Sequence, residues 1–151
     1  ETADTGVTLR ACDTATDYAL FHAVSEHAKL ILSVPCCQHE MNKAMSTESM
    51  PLIGRYGIVK ERMAALMTDA IRANLLTACG YKTQVLEFVD LSHTPKNLLI
   101  RATACLQPKS VRERALSEAE ELMRTFGYEQ KLYALLRESG RLESTAELLK
   151  K

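Results

Sequence analysis

The hydrophobic positions change period along the chain, and the changes mark the elements. Val7 to Cys12 (VTLRAC) reads as a short strand. Thr14 and Asp17 then have the Thr-x-x-Asp spacing of a capping box at a helix start, and Leu20, Ala23, Val24 and His27 mark one face of that helix. Leu30 to Pro35 (LILSVP) is apolar on both parities, the pattern of a strand buried on both faces as in a parallel sheet, and Pro35 stops it. Gln38 to Gly57 is polar and irregular and predicts a loop with room for a helical turn. A long helix follows, because Ile58, Val59, Met63, Leu66, Met67, Ala70, Ile71, Leu75 and Ala78 recur at helical spacing, and Gly80 stands where its C-terminal cap belongs. Gln84 to Val89 alternates like a strand, and Asn97 to Thr103 is another. The span Asp90 to Lys96 between them suits a hairpin, which makes this pair antiparallel. After Pro108 the period stays helical. Ser110 and Glu113 form a second capping-box pattern, Val111, Ala115, Ala119, Leu122, Met123 and Phe126 form a stripe, and Gly127 and Gly140 punctuate two shorter helices.

The order strand, helix, strand, long helix, strand, strand, helices predicts an α/β fold. Its sheet should be mostly parallel with a terminal antiparallel hairpin over residues 1–106, and a helical extension should occupy 107–151. Composition narrows the function classes. Lys plus Arg and Asp plus Glu both number 19, so the zero net charge excludes a chain-wide basic field for nucleic acid, though not a local patch. No apolar run approaches the ~18–20 residues of a membrane span, so no membrane partner is expected. The five cysteines are an odd count, Cys36 and Cys37 are adjacent, and no Cys-x-x-Cys occurs; reduced thiols in a cytoplasmic protein are the simplest expectation. The sequence opens at Glu1 without a Met, as a processed or trimmed piece would.

Three strings carry candidate chemistry. In RACDTATDYAL, Arg10 to Leu20, a strand turns into a helix; its N-terminal amides suit an anion or polar ligand, and a well-capped helix explains the same residues. In SVPCCQHE, Ser33 to Glu40, two thiols and His39 follow a buried strand, at the end of the sheet where α/β proteins bind ligands. The thiols can be small apolar fillers, metal ligands or pocket lining. No metal is expected, because neighbouring side chains of an extended segment point to opposite faces and vicinal Cys lacks the usual zinc spacing. In HTPKNLLIR, His93 to Arg101, the hairpin loop brings His93, Lys96 and Asn97 to the same edge as Cys36, although Thr-Pro-Lys-Asn is also ordinary turn chemistry. No Gly-x-Gly or Walker pattern is present.

Together, RACDTATDYAL, SVPCCQHE and TPKNLLIRA resemble a methyltransferase family, the one that includes the eukaryotic tRNA 2′-O-methyltransferase with a Cys-Cys-x-His signature and similar bacterial proteins. The matching residues are Cys12, Thr16, Asp17 and Leu20, then Cys36, Cys37 and His39, and the resemblance spans roughly Val7 to Ala104. Asp13 stands where the tRNA enzymes have Gly, and Arg10 where similar bacterial sequences have His.

The resemblance implies the C-terminal half of a class I, Rossmann-like, S-adenosylmethionine-dependent methyltransferase, with S-adenosylmethionine bound in the full-length protein and this chain inactive alone. It implies Asp13 and Asp17 at the cofactor, and Cys36, Cys37, His93 and Asn97 around the acceptor. His39 or Lys96 would assist proton removal. An RNA hydroxyl is a candidate acceptor, alongside a small molecule or a protein. The chain is expected to self-associate or to pair with a missing N-terminal half. The other reading is a non-enzymatic α/β interaction module whose helical tail binds a partner.

Overall fold

The computed structural model describes residues 5–9, 12–36, 39–87 and 98–142, with backbone alone at 6–9. Their elements are β1 (Thr5–Leu9), α1 (Thr14–Ser25), β2 (Leu30–Val34), α2 (His39–Ala44), α3 (Pro51–Arg55), α4 (Gly57–Ala78), β3 (Tyr81–Glu87), β4 (Leu98–Ala104), α5 (Lys109–Phe126) and α6 (Lys131–Glu138). The succession of strands and helices is the one the periodicity predicts. Two short helices replace most of the loop expected at 38–57.

The strands form one sheet in the order β1-β2-β4-β3. β1 and β2 pair in parallel, Leu9 opposite Val34. β2 with β4 and β4 with β3 are antiparallel, with Ser33 opposite Ile100 and Glu87 opposite Leu98. The expectation of a mostly parallel sheet is therefore corrected: among the described residues two of its three pairings are antiparallel, and β1 adds the parallel one at the side. The reason is that the hairpin partner of β3 inserts next to β2 rather than ending the sheet. β1, β2 and β3 still run in one direction, so Leu9, Val34, Glu87 and Leu98 share one edge.

The expectation that LILSVP is buried on both faces is also corrected. Ile31 and Ser33 are buried while Leu30, Leu32 and Val34 are half-buried, and in β4 Ile100 and Ala102 are buried while Arg101 and Thr103 are exposed. One face of the sheet thus packs on helices and the other does not, among the described residues. α4 crosses the covered face with Ile71, Leu75 and Leu76 inward; Ile58, Val59 and Leu66, read as part of its apolar stripe, are exposed. Tyr81 lies in the same core, and its hydroxyl donates to the Ala28 carbonyl at 2.9 Å. Leu116, Ala119, Met123 and Phe126 of α5 and Leu132 and Leu136 of α6 belong to that core as well. No helix among the described residues is long and apolar enough to cross a membrane.

The helix ends depart from the capping-box expectation. α1 has Asp13 as its N-cap and α5 has Pro108, neither with a side-chain cap bond. Asp17 is turned inward, to Arg72. At the other end of α1, His27 is not on the helix face but beyond it, at φ 54°, with Ala28 N–H bonded to Ala23 O at 3.0 Å. That is a Schellman closure with His in the left-handed position usually held by Gly.

Candidate functional site

The turn between β1 and α1 is built around Asp13. Its backbone, at φ 47° and ψ −121°, occupies a region that side chains adopt rarely and that glycine adopts freely. Two donors meet its carbonyl: Thr16 N–H at 3.1 Å and Arg72 Nη2 at 2.9 Å. Its carboxylate Oδ2 accepts the backbone N–H of His39 at 3.2 Å. The turn after β1 is thereby tied to the start of α2, just past the end of β2. Of the residues the sequence singled out, Asp13 and His39 are brought together, through the His39 amide and not its imidazole. The His39 side chain is exposed, Asp13 is half-buried, and Cys36 is half-buried beside them in sequence. Cys37, His93, Lys96 and Asn97 lie outside the described residues. Glu87 and Leu98, which flank the last three of these in sequence, are at the same sheet edge as Val34.

Beneath this turn lies a buried ionic cluster that the sequence reading missed. Arg72 is fully buried. Its Nε donates to Asp17 Oδ1 at 2.8 Å and its Nη1 to Asp69 Oδ1 at 3.1 Å, so one guanidinium serves two carboxylates and the Asp13 carbonyl. Gln130 Nε2 adds donors to Asp17 Oδ1 and Oδ2 at 3.1 and 3.0 Å. The cluster joins α1, α4 and the segment between α5 and α6. Asp17, expected at the cofactor, is 1% exposed, with both carboxylate oxygens engaged inside the protein. A signal for this cluster existed: Thr68, Arg72 and Leu76 fall on one helical stripe, and a guanidinium between a Thr and a Leu on a buried face requires an acid partner.

Burial, with nearby charges second, explains the protonation behaviour. Burial pushes the Asp17 carboxyl up, and Arg72 and Gln130 pull it back only in part. The nearby negative charge of Asp13 works in the same direction as burial. Burial also raises the Tyr128 hydroxyl, with the negative charges of Asp17, Glu40 and Asp13 adding to the effect. The turn thus places a half-buried carboxylate at the carboxyl ends of β1 and β2, above a buried, charged foundation. Such a group can accept hydrogen bonds from hydroxyl or ammonium groups of a ligand, at the place where open α/β sheets bind them.

Residues 1–44 match a family model described as a methyltransferase domain. The match runs from the start of the sequence to the end of α2 and so contains Asp13, Asp17, Cys36 and His39; Arg72 and Gln130 lie beyond it. No curated protein and no solved structure matches the chain.

Proposed function

We propose that this chain forms one wall of an S-adenosylmethionine-dependent methyltransferase site, over the carboxyl ends of β1 and β2. The observation that carries the reading is a coincidence: the residues matching a methyltransferase domain are those whose turns meet at one sheet edge, through the bond from His39 N–H to Asp13 Oδ2. S-adenosylmethionine, when bound, supplies a methyl group on a sulfonium. The Asp13 carboxylate suits the hydroxyl and ammonium groups of that cofactor. The sequence has no Gly-x-Gly turn, so the close backbone approach to the cofactor has to come from residues other than these.

In this reading Asp13 orients the cofactor, and Cys36 and Cys37 shape the acceptor pocket. His39, or Lys96 from the β3–β4 connection, takes the proton from a hydroxyl acceptor. Asp17 acts indirectly: it holds Arg72, which holds the Asp13 carbonyl. Methyl transfer requires little beyond in-line placement, so rigidity of this turn is the main contribution of these residues. The acceptor class proposed is an RNA hydroxyl, from the resemblance of the Cys36-Cys37-x-His39 string to the tRNA 2′-O-methyltransferases.

The test is calorimetry with S-adenosylmethionine on this chain and on a longer product that adds a Gly-rich strand-turn-helix segment. Binding is expected only in the longer product, and Asp13→Ala should weaken it about tenfold, or ~1.4 kcal/mol. Transfer of labelled methyl to tRNA by the longer product tests the acceptor. Micromolar binding by this chain alone, unaffected by Asp13→Ala, would overturn the reading.

A further inference from the structure

Lys109, Arg112, Glu113 and Leu116 recur at the spacing of one helix face. That face of α5 forms one wall of a cleft of about 250 Å³, whose other wall is Gly140, Arg141 and Leu142 after α6, with Ala78 at the end of α4 completing it. Ala78, Leu116 and Leu142 are buried, so the cleft has apolar lining in its depth. Charge is added by three cations and one carboxylate. Lys109 and Glu113 pair with each other at 3.6 Å, so among the described residues lining the cleft the guanidiniums of Arg112, on α5, and Arg141, after α6, are the charges without an opposite partner in the lining.

The residues that carry those guanidiniums line one cleft from different segments. Arg141 Nη2 donates to Ser25 O at 3.3 Å, and Arg141 N–H to Leu136 O at 2.9 Å, in the turn that Gly140 makes at φ 72°. Arg112 and Arg141 both act on the thiol of Cys79, which burial pushes up to about 12 against their opposing influence. α5 also begins at Lys109 with no side-chain cap, so the positive end of its dipole lies at the cleft. The position is remote from Asp13: α4 ends at Ala78 just before Tyr81, which pairs with Ala104 at the far end of the ladder from Glu87 and Leu98.

We propose that this cleft binds a phosphate group, held between Arg112 and Arg141, with the attached sugar or base resting on Ala78, Leu116 and Leu142. Guanidinium forks match phosphate oxygens in geometry as well as charge. A volume of about 250 Å³ is small for a ligand site and suits one phosphorylated sugar-sized group, not a dinucleotide. Such a phosphate can come from a free mononucleotide or from the end of an RNA strand. None of the described residues lining the cleft lies within 1–44, and phosphate binding there does not depend on the methyltransferase reading.

The test is an amide NMR titration of the chain with AMP, adenosine, and an oligoribonucleotide with and without a 5′-phosphate. AMP should give saturable shifts centred on Lys109, Arg112, Gly140 and Arg141, weakening as salt rises, and adenosine should not. Arg112→Gln leaves the Arg141–Ser25 bond intact and should reduce affinity about tenfold with the rest of the spectrum unchanged. Adding Arg141→Gln should abolish binding. A 5′-phosphorylated strand that binds as tightly as AMP or tighter marks a strand end as the source; preference for AMP marks a mononucleotide. No saturation by about 5 mM AMP, an equal response to adenosine, or binding undiminished in Arg112→Gln would overturn the proposal.

Discussion

Arg72 is fully buried, and among the described residues its charge is met by the carboxylates of Asp17 and Asp69 and by the Asp13 carbonyl. Replacing it by Met leaves Asp17 and Asp69 buried without their cation, and should cost about 3–5 kcal/mol in urea unfolding. Asp17 gives the opposite kind of result. Its carboxyl is held above the ordinary value of 3.8 in the folded state. The folded state therefore binds the extra proton between that value and the raised one, and stability contributed by Asp17 falls as pH rises through this window. Asp17→Asn removes the titration. The variant should gain stability relative to the parent as pH is raised from about 4 to 7, measured as the difference in urea midpoints. A constant difference across that range would refute the assignment. Arg72 was not legible in advance because its environment is set by residues far along the chain. Asp13 was partly legible: its position after a strand and before a helix is local, while the backbone angle it adopts is not.

α5 was legible as a helix and not as a member of the core. Its period is clear, but nothing in a helical stripe names the surface it packs on. The structure lays it against α4, where Asn74 Nδ2 donates to Ala115 O and to Glu118 Oε2, each at 3.1 Å. It ends at Gly127, at φ 62°, where Tyr128 N–H closes on Met123 O at 3.0 Å. A Cβ at Gly127 would meet only Ser46 Cβ at 3.9 Å, so the obstacle is the angle and not space. Gly127→Ala should therefore cost about 1 kcal/mol, seen as a lower thermal midpoint with unchanged helix content.

At the scale of the molecule, the described residues cover the sheet on one face. On the other, Leu30, Leu32, Val34 and Leu99 are half-buried and Leu86 is 38% exposed, and β1 has β2 as its one neighbour among the described residues. Apolar area and an edge strand in this arrangement favour association. The chain alone should show a weight-average mass that rises with concentration in light scattering. Leu86→Lys, on the uncovered face opposite Leu99, should shift it toward monomer. A concentration-independent monomer would show that this face is satisfied without a partner.

The sequence by itself determined the succession of strands and helices, the glycine-marked helix ends, and the presence of Asp13 and Cys36 in turns that follow parallel strands. These are properties of local periodicity and of backbone angles that few residues adopt, and short windows contain them. Tertiary structure alone decided that β4 lies between β2 and β3, that Asp17 points inward, and that Arg112 and Arg141 share a cleft. Each depends on pairings between distant residues, such as Gln130 with Asp17 at a separation of 113. Such pairings follow from which apolar faces exclude water together, and a charged residue is buried only where that packing also delivers its partners.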